Sequence, residues 1–64
     1  MTAYIYDPET LLVSATITAD DQNEIHAYFE DNFDPEVSFL TYAPAFGFAN
    51  GLRGYEDNAA EIYL

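Results

Sequence analysis

The sequence predicts an α+β fold, a mainly antiparallel four- or five-stranded sheet with one helix packed on one face, in the order β-β-α-β-β. Three observations lead to it. "LLVSATIT" alternates apolar and polar positions and is rich in β-branched residues, the pattern of a half-buried strand. Ile25, Tyr28, Phe29 and Phe33 recur at helical spacing and make one apolar stripe. Proline, glycine, aspartate and asparagine cluster between these runs, as they do in turns.

Taken in order, Ala3 to Tyr6 form a short aromatic strand, and "DPET" turns the chain into "LLVSATIT", closing a hairpin with a four-residue connection. Leu11, Val13, Ala15 and Ile17 share one face of the second strand; Leu12, Ser14, Thr16 and Thr18 share the other. Asp21 and Glu24 have the spacing of a capping box, and Pro35 disfavours helix at Asp34, so the helix runs from about Asp21 to Asn32. "VSFLTYA" is the third strand, with Pro44 at its end. Asn50-Gly51 is a hairpin signal joining a strand around Ala45 to Phe48 with one around Leu52 to Tyr55. "EDN" is a further turn, and "AEIYL" is a fifth strand or a tail. Phe29, Phe33 and Phe39 are expected in the core, Phe46 and Phe48 in core or interface, and Tyr4, Tyr6, Tyr42 and Tyr55 on the sheet face the helix leaves open.

Sixty-four residues make a single domain spanning 1–64. No cysteine is present, which removes disulfides and thiolate metal sites. Six tyrosines and five phenylalanines supply the apolar material that so short a chain needs, either for a core or to close a homodimer. Twelve acids stand against Arg53 alone, for a net charge of −11. That exceeds what solubility asks of a small domain, about 2 to 8 in magnitude. Direct nucleic-acid binding and attraction to an anionic membrane are both disfavoured, because each needs basic groups. The N-terminal stretch lacks the basic and apolar regions of a signal peptide, and no apolar run approaches membrane-span length. A soluble, cytoplasmic protein is therefore expected, in the host cytoplasm if a phage encodes it.

The carboxylates are unevenly placed. Asp20, Asp21, Glu24, Glu30, Asp31, Asp34 and Glu36 fall within seventeen residues that contain no lysine or arginine. The helix macrodipole favours acids in the first turn only, so Glu30, Asp31 and Asp34 are unexplained by capping. One reading is a solvated helix face. The other is a carboxylate array standing in for phosphates in a basic groove, where arginine and lysine accept either anion.

In size, charge and aromatic content the whole chain resembles the small acidic inhibitors that phages and mobile elements carry against host nucleases, including DNA-mimic anti-restriction and anti-CRISPR proteins. The resemblance implies a non-enzymatic inhibitor whose partner is a basic nucleic-acid-binding protein. The expected partner-binding residues are the seven acids above together with Tyr4 and Tyr6. The alternative is a small interaction or homodimeric assembly module that binds through the open aromatic sheet face, its acids serving solubility.

Other signals are weaker. His26 lies on the helix flank, four residues before Glu30, and is expected to pair with it. Neither Ser14 nor Ser38 has the context of a nucleophile. Asp21 and Asn23 begin like a calcium loop, but Ile25 and His26 occupy positions where that loop needs a ligand and a glycine. No cofactor or metal is expected. Gly47, Gly51 and Gly54 read as turn residues, and Arg53 as a partner for Glu56 or Asp57 or as a lone basic contact.

Overall fold

A computed structural model describes residues 1–47 and 51–64. The elements are β1 (Thr2–Tyr6), β2 (Leu12–Thr18), α1 (Gln22–Asn32), β3 (Phe39–Thr41) and β4 (Gly54–Tyr63). They build one four-stranded sheet in the order β3-β1-β2-β4. β1 runs antiparallel to both β2 and β3, while β4 lies parallel to β2. The sheet is thus mixed, mostly antiparallel, with the expected β-β-α-β-β element order.

Alternation puts Ala3 and Ile5 of β1 opposite Ile17 and Ala15 of β2. These four join Ala19 and Ile25 in the buried cluster beneath the helix, with Tyr28, Phe29, Phe33, Leu40, Tyr42 and Ile62 packed around it. Ile25 is the one buried residue of α1. Between Ile5 and Tyr6 the register slips, so that Tyr6 faces Val13 and Ser14 is the extra residue. The Ser14 hydroxyl donates to the Ile5 carbonyl at 3.3 Å, which gives the bulged residue a partner. Beyond the bulge, Val13 shares the side of Tyr6, away from the helix. It is fully buried but separate from the helix-side cluster.

Three aspartates shape turns in the same way. The Oδ1 atoms of Asp7, Asp21 and Asp34 accept the backbone N–H two residues on, from Glu9, Asn23 and Glu36, at 2.8, 2.8 and 2.9 Å. This is the side-chain turn that Asp favours; at Asp21 it is also the helix N-cap.

Several expectations shift. The β1–β2 connection has five residues, because Leu11 adopts φ 60° and donates to the Asp7 carbonyl rather than extending β2. β3 is shorter than "VSFLTYA", since the Val37 and Ser38 N–H groups both donate to the Asp34 carbonyl. Pairing of Leu40 with Ile5 and of Phe39 with Tyr6 turns Leu40 toward the helix and Phe39 away from it. Phe39 is accordingly 45% exposed instead of core. Tyr42 packs against the helix-side cluster instead of lying on the open face.

Over the described residues 45–47 no strand forms: Phe46 makes an isolated parallel bridge with Leu52, which is not hairpin pairing. Gly51 passes so close to the Ala45 carbonyl that a Cβ would collide with it. Phe48 and Asn50, and with Asn50 the expected turn, lie outside the described residues. Gly54 and Tyr55, "EDN" and the chain on to Tyr63 merge into β4, with Leu52, Arg53 and Leu64 outside it. Its ladder to β2 skips: Val13 faces Tyr55, Ala15 faces Ala60, and Glu56 to Ala59 stand opposite Ser14 alone.

Candidate functional site

α1 carries its acids on the side away from the sheet. Glu24, Glu30 and Asp31 are exposed, as are Asp20, Asp21, Asp34 and Glu36 at its flanks. The first turn holds Glu24, and the last turn holds no basic residue. Among the described residues no ion pair neutralises any of them. Their structural duties differ. Asp21 caps the helix and Asp34 closes the following turn, whereas Asp20, Glu24, Glu30, Asp31 and Glu36 accept no hydrogen bond from the described residues. Five carboxylates are thus free of local work. With 11 residues, α1 is roughly 16 Å long at 1.5 Å per residue. Including its flanks, seven carboxylates cover about 20–25 Å, roughly one per 3–4 Å, close to the one phosphate per 3.4 Å of a DNA strand.

The remaining two candidate residues do not join this array. Tyr4 and Tyr6 alternate with Ala3 and Ile5, which face the helix, so they lie on the opposite side of the sheet. There Tyr4 sits across from Thr16 and Thr41, and the Tyr6 ring meets Phe39 edge-on at 5.9 Å. The nine predicted residues form two surfaces separated by the sheet, one of acids and one of rings. A single partner surface cannot take both from one side.

The far side holds an aromatic cluster that sequence reasoning only partly located. Phe46 stacks on Tyr55 at 5.8 Å, and both are about half exposed. Tyr6, Thr41, Pro44 and Leu52 line one shallow cavity. Leu52, Phe46, Gly47 and Arg53 line a second, of about 400 Å³. Leu52 belongs to both and joins the Phe39–Tyr6 pair to the Phe46–Tyr55 pair. β1, β2 and β3 contribute no charged residue. Glu61, opposite Thr16, is the carboxylate that the register places on this face.

His26 does not pair with Glu30; its ring lies over Tyr42, with centroids 5.9 Å apart. The Tyr42 hydroxyl is buried and has no hydrogen-bond partner among the described residues. Its burial pushes the hydroxyl above the ordinary tyrosine pKa. Arg53 is exposed, and no carboxylate among the described residues, Glu56 and Asp57 included, comes within ion-pairing distance of it. No three His, Asp or Glu side chains among the described residues converge as metal ligands. Among the described residues no helix is long and apolar enough to cross a membrane. No known protein family, curated protein or solved structure matches the chain.

Proposed function

We propose that this chain is a non-enzymatic binding protein whose helix-borne carboxylates occupy the nucleic-acid-binding surface of a basic partner, excluding DNA or RNA by competition. A host nuclease, or a component of a restriction or CRISPR system, is the class of partner that the resemblance in size and charge suggests, and such a partner places the encounter in the host cytoplasm. One observation carries the reading. Glu24, Glu30 and Asp31 are exposed, unpaired and free of capping duty, and two of them stand at the helix end where the dipole disfavours acids. A surface that costs self-repulsion and does nothing for the fold is explained by a complementary surface elsewhere. Long-range attraction would raise the association rate, and counterion release would make the complex salt-sensitive. Tyr4 and Tyr6, on the other side of the sheet, take no part in this contact.

The structure selects the variant that tests it. Glu24→Gln, Glu30→Gln and Asp31→Asn together remove three charges while leaving the Asp21 and Asp34 turns intact. Partners are captured from a host lysate on immobilised protein, eluted stepwise with salt and challenged with duplex DNA. The expected result is a basic nucleic-acid-binding protein that high salt or DNA displaces. The triple variant should hold it about 3- to 150-fold more weakly, from about 0.2–1 kcal/mol for each of three exposed pairs. Equal retention by the wild type and a folded triple variant refutes the proposal.

A further inference from the structure

From the aromatic side of the sheet we infer that the face formed by Phe39, Tyr6, Leu52, Phe46 and Tyr55 is a homodimer interface, covered in solution by the same face of a second copy. Three observations converge on that occupant. The first is a core too thin for its apolar content. The fully buried side chains are no larger than isoleucine, and none of the described aromatic rings is buried. Phe39, Phe46 and Tyr55 are 45%, 50% and 53% exposed; the two cavities that share Leu52 reach Tyr6, which meets Phe39, and Phe46, which stacks on Tyr55. Contiguous exposed apolar surface of this kind marks an interaction site. A small domain without disulfides commonly gains stability by association.

The second observation is charge. A basic partner is drawn to the acidic helix rather than to this face, and a second copy, also at net charge −11, is repelled least when it approaches by its least charged side. A nearly uncharged face fits a nearly uncharged face, and its own copy supplies one. Joined this way, two molecules keep both acidic helices outward, on opposite sides of the assembly. A pairing through the helices would instead bring Glu24, Glu30 and Asp31 of one copy against those of the other.

The third is size. The molecule measures 31 × 21 × 19 Å, so one face covers at most about 650 Å² and two copies bury up to about 1,300 Å², at the lower end of specific interfaces. The dimer is therefore concentration-dependent rather than obligate. This inference stands apart from the proposed function, because it concerns the other side of the sheet and predicts the opposite response to salt.

Sedimentation velocity on the full chain tests it, from about 10 μM to 1 mM protein, at low salt and at about 0.5 M NaCl. The expected result is a shift from the 7.2 kDa monomer toward twice that mass as concentration rises. The midpoint should move to lower concentration in high salt, because screening relieves repulsion between the two chains. Tyr55→Glu alters a half-exposed ring and leaves the core intact, as circular dichroism verifies; it should raise the midpoint at least about tenfold. Dilution of the wild type, followed by amide NMR, should move Phe39, Leu52 and Tyr55 and leave Glu24 and Asp31 still. A monomer at every concentration overturns the inference. So does a dimer that salt loosens, one indifferent to Tyr55→Glu, or dilution shifts confined to the helix. If instead the chain is monomeric and Tyr55→Glu abolishes capture of a lysate protein, the face belongs to that protein and the inference fails.

Discussion

Ile25→Ala is the most informative single change for the acidic helix. Ile25 is the only buried residue of α1, and it closes over Ala3, Ile5, Ala15 and Ile17 at 0% exposure. Three of its five partners in the buried cluster are alanines, which cannot reach into the space left behind. Collapse around the cavity is therefore limited, and the cost falls in the middle of the observed range for Ile→Ala, about 3 kcal/mol. A chain of 64 residues has a total stability of roughly 3–10 kcal/mol at 0.05–0.15 kcal/mol per residue. The loss is thus a third or more of the whole, and in a domain this small it lowers Tm by about 12–24 °C. Urea unfolding at neutral pH, followed by far-UV circular dichroism, measures it, with Ile25→Val as a control expected to lose only about 1 kcal/mol. An Ile25→Ala loss below about 1 kcal/mol, with an unchanged m-value, would refute the claim that this side chain docks the helix on the sheet.

Two further outcomes follow from local geometry. Tyr42→Phe removes a buried hydroxyl that has no partner among the described residues, so it should stabilise the fold by about 1–2 kcal/mol in urea unfolding. Because burial raises the Tyr42 pKa, the folded state favours the neutral phenol. Stability from this group is held below the ordinary tyrosine value and lost as pH rises through the raised one, so wild type should weaken in strong alkali more than Tyr42→Phe does. At Leu11, φ is 60°, a conformation especially unfavourable to β-branched residues. Leu11→Val should destabilise by about 1–2 kcal/mol while Leu11→Asn should not, and a thermal melt in which the two behave alike would disprove the strain.

The helix was legible because its signals are local. Asp21, the spacing of Ile25, Tyr28, Phe29 and Phe33, and Pro35 all act within a few residues, and the observed boundaries follow them. β1 was legible as a short aromatic run and β2 from alternation and β-branching, whereas the turn at Leu11 and the bulge that moves Val13 to the other side depend on pairing between the strands. The inner and outer faces of β3 were not: alternation separates Phe39 from Leu40 but does not say which meets the helix. Pairing with Ile5 and Tyr6 decides that, and it is a long-range contact. The parallel course of β4 has the same origin. Short glycine-rich runs such as "GFANGLRG" look like hairpins locally, and where the chain goes afterwards depends on which sheet edge is vacant. The exposure of the acids was readable from composition and helical phase. The separation of Tyr4 and Tyr6 from those acids was not, because it depends on which face of β1 the helix covers.

The interruption in β4 bears on whether the sheet's edge can pair with further chains. An outer strand offers a row of free N–H and C=O groups that can pair with any extended chain, the first step toward aggregates. Around "VSATIT" and "FLTYA" this sequence is uncharged and β-prone, the composition that assembles readily once a template exists. β4 spoils the template. Where Glu56 to Ala59 stand opposite Ser14 alone, its outer side cannot present a continuous pairing register, and Glu56 and Asp57 bring like charges to any copy that approaches. At the other border β3 presents only three residues, too few to seed growth. A break in the ladder therefore guards the central hairpin against runaway polymerisation.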